Sequence, residues 1–216
     1  MEAKMIKTYL YTRYERFWHW LQTILILILL ITGFEIHGTF RLFGFHSSVE
    51  VHNYLGLSWL IAFAFFVFWA FTTGEWKQYI PTTKKMIAVV RYYLFGIFRG
   101  EEHPVPKKKG AKHNPLQRIA YLSLAAFLLP VQMGTGFLYW SYNSWDAWGL
   151  SFLSLEVVAL IHMLGAFAIL QFIIIHVYMT TTGHSIFTHI KAMITGWEDI
   201  RDDVVVEDWE KAKKRV

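Results

Sequence analysis

A chain of 216 residues with no cysteine has the length of one domain. It can form no disulfide, no thiolate-held iron–sulfur cluster and no c-type haem attachment, which needs Cys-x-x-Cys-His. Hydrophobic residues make up 55% and charged residues only 17%, below the roughly 25% of an ordinary soluble domain, and the net charge of +5 does not indicate nucleic acid, because its cations sit in loops between long apolar stretches.

The first element is announced by RYERFWHWLQ at 13–22, where Arg13 and Arg16 lead into Phe17-Trp18-His19-Trp20 and then a run of Ile and Leu. Four stretches, 17–36, 53–73, 116–139 and 155–182, reach the roughly 20 mostly apolar residues that a transmembrane helix requires. The first lacks a short signal-type core and a small-residue cleavage site, so it reads as a retained helix. The expected fold is an all-α membrane protein, a bundle of four transmembrane helices.

Basic residues orient the bundle. Lys4, Lys7, Arg13 and Arg16 precede the first span, Lys77 to Lys112 crowd the loop between the second and third, and Lys191 to Arg215 follow the fourth. The first-to-second loop has only Arg41 and the third-to-fourth loop has no Lys or Arg. This bias predicts both termini and the long middle loop inside (N-in/C-in). Within that loop, residues 76–98 mix apolar and basic side chains as an amphipathic interfacial helix does, and PVPKKKGAK reads as a linker. Residues 1–197 form the expected transmembrane domain and 198–216 a charged cytoplasmic tail.

Ionisable residues at membrane depth are costly and usually functional. His162 and His176 are fourteen residues apart on the fourth span, so they return to within about 40° of one helix face and stand about 21 Å apart in depth. His19, at the inner start of span one, can face His176. His52, at the outer start of span two, can face His162. Paired neutral imidazoles in a bundle suit two stacked six-coordinate b haems, and Gly33, Gly56, Gly134, Gly136 and Gly165 supply room for a large flat group or for plain helix packing. His37, on the face of span one that carries His19, is the alternative outer ligand or a propionate contact. For His46, His103, His113, His184 and His189 the default is a surface position.

The elements RFWHW, HNYLG, HNPLQR and IHMLGAF…IIIHVYMT resemble the di-haem cytochrome b subunits of membrane-bound formate dehydrogenases, nickel–iron hydrogenases and thiosulfate reductases, in the bacterial cytochrome b561-like superfamily. The resemblance implies the same ligand pairs, His19 with His176 and His52 with His162. It implies a quinone (menaquinone or ubiquinone) beside the loop entering span three, at Asn114 and Gln117, with His113 or His184 as further hydrogen-bond partners. Asn114-Pro115 equally reads as a helix cap with Pro at the first helical position. The resemblance also implies a periplasmic iron–sulfur or multihaem partner, a catalytic oxidoreductase subunit, and the inner membrane of a bacterium. Residues 34–51 and the aromatic loop around Tyr142, Trp145 and Trp148 form the expected docking face, although those three aromatics also suit interfacial anchors.

Two rivals come from other classes. One is a haem-free anchor whose histidines only bridge helices. The other is a proton or metal-ion transporter, which the absence of acids in mid-span and of broken helices disfavours.

Overall fold

A computed structural model describes residues 5–108, 111–182 and 185–201. His184 and the tail from residue 202 onward lie outside the described residues. In chain order the elements are strand β1 (Met5–Tyr9), helices α1 (Arg13–Ile36), α2 (Phe45–Thr73) and α3 (Met86–Arg91), helix α4 (Pro115–Trp140), helices α5 (Leu155–Thr180) and α6 (Thr188–Thr195), and strand β2 (Trp197–Arg201). Helices α1, α2, α4 and α5 are long and apolar enough to cross a membrane, as the apolar runs predict.

The chain forms two compact units. One contains the described residues within Met1–Arg16, Trp69–Leu124 and His176–Val216, and the other contains Phe17–Phe68 and Ala125–Ile175. The second unit is built by the apolar helices. Trp18 stacks on Phe66 with ring centres 4.6 Å apart, Phe34 meets Phe167 edge-on at 5.2 Å, and the Trp59 indole N–H donates to Gln22 Oε1. Large apolar side chains such as Phe65, Phe68 and Leu164 stay exposed, an exterior suited to lipid rather than water.

Helix α2 begins eight residues before the expected apolar boundary. The cause is Glu35 near the end of α1, which is buried. Its carboxylate accepts backbone N–H bonds from Leu42, Phe43 and Gly44 and a hydroxyl bond from Ser48. Gly44, at φ +89°, makes the turn that a side chain would strain. The polar first turns of α2, with His46, Ser47, Ser48 and Glu50, hide this start from a hydropathy reading. His52 consequently lies seven residues inside the helix, about 10 Å from its first residue, and not at its beginning.

The third span also departs from uniform α-helix, because its Leu124–Leu128 turn is π-helical. In the following loop Trp145 is buried, with its indole N–H donating to the Leu138 carbonyl at 3.0 Å. It is therefore neither a docking residue nor an interfacial anchor, whereas Tyr142 and Trp148 remain exposed.

In the first unit β1 and β2 pair antiparallel from Met5–Arg201 to Tyr9–Trp197. Residues 198–201, the head of the expected tail, are thus part of this ribbon. The interfacial segment is shorter than expected. Glu75–Tyr79 is a 3-10 turn, Pro81 follows without an N–H to continue it, and α3 starts only at Met86. A π-helical turn at Tyr92–Gly96 and a 3-10 turn at Ile97–Arg99 carry it onward. Ile87, Leu94, Phe95 and Phe98 are exposed along it, the apolar stripe an interfacial helix requires.

Candidate functional site

His52 on α2 and His162 on α5 come together in the second unit, with ring centres 6.2 Å apart and planes at 81°. Their tautomers follow from the hydroxyls beside them. Thr32 Oγ1 donates to the Ile28 carbonyl at 2.8 Å, so it accepts from His52 Nδ1 at 3.0 Å. Thr135 Oγ1 donates to the Val131 carbonyl at 2.7 Å and accepts from His162 Nδ1 at 3.2 Å. The Gln132 carbonyl is a second acceptor for His162 Nδ1, at 3.1 Å. Each ring therefore carries its proton on Nδ1 and keeps the Nε2 lone pair, the form in which imidazole binds a metal.

Glycine gives each ring its place. A Cβ on Gly33 would stand 3.1 Å from His52 Cε1, and one on Gly136 would stand 2.9 Å from His162 Cε1. The same tripeptide, Thr-Gly-Phe, occurs at 32–34 and 135–137: its threonine fixes the tautomer and its glycine admits the ring. The motif pair is visible in the sequence, but only the fold links each copy to a histidine.

Gln132 marks where a ligand would sit. Its amide nitrogen lies 3.3 Å from His162 Nε2, donating into the lone pair. Its Oε1 is buried with no hydrogen-bond partner among the described residues, against Gly165, where a Cβ would be 2.1 Å away. Buried unsatisfied groups are uncommon in native proteins, and this one lies beside an imidazole ready to ligate. No cluster of three or more His, Cys, Asp or Glu suited to a metal occurs among the described residues. Two neighbouring neutral imidazoles, each protonated on Nδ1 toward a threonine, are a donor set that would suit a haem-type group.

The other expected ligands are placed less directly. His19 is on α1 in the second unit and His176 on α5 in the first. The His19 carbonyl accepts the Thr23 hydroxyl, and its ring meets Trp20 edge-on. His37 follows α1 and is exposed.

Asn114 and Gln117, in the first unit, form a reciprocal capping box at the start of α4. Asn114 Oδ1 accepts the Gln117 N–H at 2.9 Å, Gln117 Oε1 accepts the Asn114 N–H at 3.0 Å, and Pro115 takes the first helical position. The capping reading of this motif therefore holds, and the box joins a larger network. Asn114 Nδ2 lies 3.0 Å from the Tyr93 hydroxyl, which is 3.1 Å from His103 Nε2.

Neither His103 nor His113 is the surface residue expected by default. The His113 ring lies over Tyr79 with centres 5.5 Å apart and meets Tyr121 edge-on at 5.2 Å. Burial, reinforced by Lys112, Lys107 and Arg118, holds its imidazole down to about 3, and burial holds His103 down to about 4. Around them Lys112 pairs with Glu15 at 2.7 Å, and Lys107 binds Glu198 at 2.9 Å and His189 at 2.9 Å.

These two histidines make the unit acid-labile. Their folded values lie below the ordinary 6.5, so their contribution to stability is complete above that pH. It is lost as pH falls toward 4, by about 1.4 kcal/mol per pH unit for each proton taken up only on unfolding. Thermal unfolding of the purified protein between pH 7 and 4 should show this decline. His113→Phe keeps the ring stack and should flatten the curve; an unchanged slope would exclude His113 as a source.

The chain matches the prokaryotic cytochrome b561 family over residues 10–196. It is 33% identical over 200 residues to the putative cytochrome YdhU of Escherichia coli (strain K12), an alignment covering 88% of this chain and 74% of that protein. It is 26% identical over 223 residues to a probable Ni/Fe-hydrogenase B-type cytochrome subunit of Rhodobacter capsulatus, covering 90% and 82%. It is also 26% identical over 230 residues to a protein described in the same words in Azotobacter chroococcum mcd 1, covering 93% and 92%. No solved structure matches. By this match and its four membrane-length helices, the chain belongs to the prokaryotic cytochrome b561 family and is a multi-pass bacterial membrane electron-transfer subunit of the haem-b type.

Proposed function

We propose that this subunit carries two b haems and passes electrons between a membrane quinone, menaquinone or ubiquinone, and a redox partner on the opposite face. The observation that carries the reading is the His52–His162 pair, each ring protonated on Nδ1 toward Thr32 or Thr135 so that Nε2 is left unprotonated. His52 and His162 hold one haem, and His19 and His176 hold the other. Bound haem supplies a centre that takes up and releases one electron reversibly. The chain's own residues fix imidazole tautomers, exclude water with the apolar helices and offer hydrogen bonds at the quinone site around Asn114 and Gln117.

The distribution of Lys and Arg supports a cytoplasmic position for the first unit, where quinone chemistry would exchange protons with the cytoplasm. The outer partner is a periplasmic iron–sulfur or multihaem subunit that connects to a catalytic oxidoreductase. Several relatives are described as Ni/Fe-hydrogenase cytochrome subunits, which makes a hydrogenase the first partner to seek. Residues 39–44, clamped by Glu35, present Phe40, Leu42 and Phe43 exposed as part of the docking face.

The direct test is an optical titration of the purified chain. Reducible b-type bands at about two haems per chain are expected, reduced by a quinol as well as by dithionite. A protein without such bands would sink the haem assignment, and bands that respond only to dithionite would remove the quinone.

A further inference from the structure

The hydrogen-bond directions around Tyr93 are set by backbone groups. Asn114 Oδ1 accepts the backbone N–H of Gln117, so the opposite end of that amide, Nδ2, is the donor to the Tyr93 hydroxyl at 3.0 Å. His103 Nδ1 accepts the backbone N–H of Val105 at 3.0 Å. The neutral ring therefore carries its proton on Nε2, which donates to the same hydroxyl at 3.1 Å. The Tyr93 oxygen receives two hydrogen bonds, and its own proton remains to be given. The hydrogen bonds of Tyr93 among the described residues are these two, and in both the tyrosine is the acceptor.

Three further observations point this proton at a ligand. Tyr93 is half-buried and sits in the π-helical turn Tyr92–Gly96, a local distortion often found at functional sites. Burial raises its phenol to about 12, so it stays a donor throughout the working pH range. Beside it in sequence, Leu94, Phe95 and Phe98 are exposed apolar residues. A ligand suited to this place has an acceptor-only polar head and an apolar tail, which is the chemistry of an isoprenoid quinone.

Resting on the quinone reading above, we propose that Tyr93 donates the hydrogen bond that holds a quinone carbonyl, with Asn114 and His103 as its positioning residues. The expected contacts shift accordingly. Asn114 is committed through both ends of its amide, and Gln117 Oε1 is committed to the Asn114 N–H, so these two residues shape the site rather than grip the head group. The contact is a binding contact; the proton stays on the phenol.

Tyr93→Phe removes one oxygen and leaves the ring. In membranes containing the full complex, haem reduction by decylubiquinol and by menadiol is followed by rapid mixing. The variant should need about tenfold more quinol for half-maximal rate, about 1.4 kcal/mol, with maximal rate, haem content and dithionite-reduced spectrum unchanged. His103→Ala should show part of this loss, and the double variant no more than Tyr93→Phe alone, because His103 acts through the phenol. An unchanged quinol dependence, additive losses, or loss of haem from Tyr93→Phe would each overturn the assignment while leaving the quinone reading in place. Wild-type haems that dithionite reduces and neither quinol reduces would overturn the quinone reading itself, and this proposal with it.

Discussion

Replacing His162 with alanine is expected, on the proposed two-haem reading, to remove one haem and leave the other, so that haem per chain falls from about two to about one. The expectation follows from the geometry around the ring. His162 is the partner that His52 faces at 6.2 Å, and the adjacent Gln132 offers an amide nitrogen, which is a donor and not a ligand. Thr135→Val should act more mildly through the same ring. It keeps the shape and removes one of the two acceptors for Nδ1–H, and changes of this kind around a metal site commonly cost 10- to 100-fold in affinity. His37→Ala, by contrast, should leave haem content intact, because His37 lies outside the pair. Pyridine haemochrome assay of the three purified variants decides the matter. Full haem in His162→Ala together with loss in His37→Ala would assign the outer ligand to the wrong residue.

The second large effect lies in the first unit. Glu198→Ala should destabilise it by about 3 kcal/mol, in the range found when one partner of a buried ion pair is removed. The Glu198 side chain is only 6% exposed and Lys107 22%. Burial pushes the Glu198 carboxyl up, but His189 and Lys107 outweigh it and leave the group below its usual value; burial pulls Lys107 down. With the carboxylate gone, Lys107 retains a second nitrogen base, His189, and no counter-charge. Replacing Lys107 and Glu198 together by Met and Leu should recover most of the loss, since apolar groups of similar size need no partner. Thermal unfolding followed by protease sensitivity of the soluble loops measures both. Equal stability of Glu198→Ala and wild type would show that the cluster does not hold the unit together.

Much of this protein is legible in its sequence because lipid imposes a strict rule on it. Long apolar runs must be helices, and histidines within them stand out against an apolar background. Depth suggests pairing His52 with His162 but leaves His37 as an alternative, and the fold brings the first two rings together. The start of α2 was not legible, because it depends on a carboxylate nine residues before the turn it holds. The supporting threonines were hidden for another reason: a threonine in an apolar helix ordinarily bonds its own backbone. Thr32 and Thr135 do so and also accept from a histidine. Tyr93 is not marked by any sequence signal, and His103 reads only as a surface histidine. Their roles arise from contacts across ten to twenty residues of loop, for which the sequence has no periodic signal.

The ribbon of β1 and β2 bears on how the protein is made. Met5 pairs with Arg201, so the first strand is made long before its partner, with all four long apolar helices synthesised in between. At roughly 5–20 residues per second the first strand waits for ten seconds or more without its neighbour. The residues of the second unit are all available once Ile175 has been added. On the proposed function, haem capture by His52 and His162 can therefore precede closure of the β1–β2 ribbon, and the order of biogenesis would run from cofactor to quinone site.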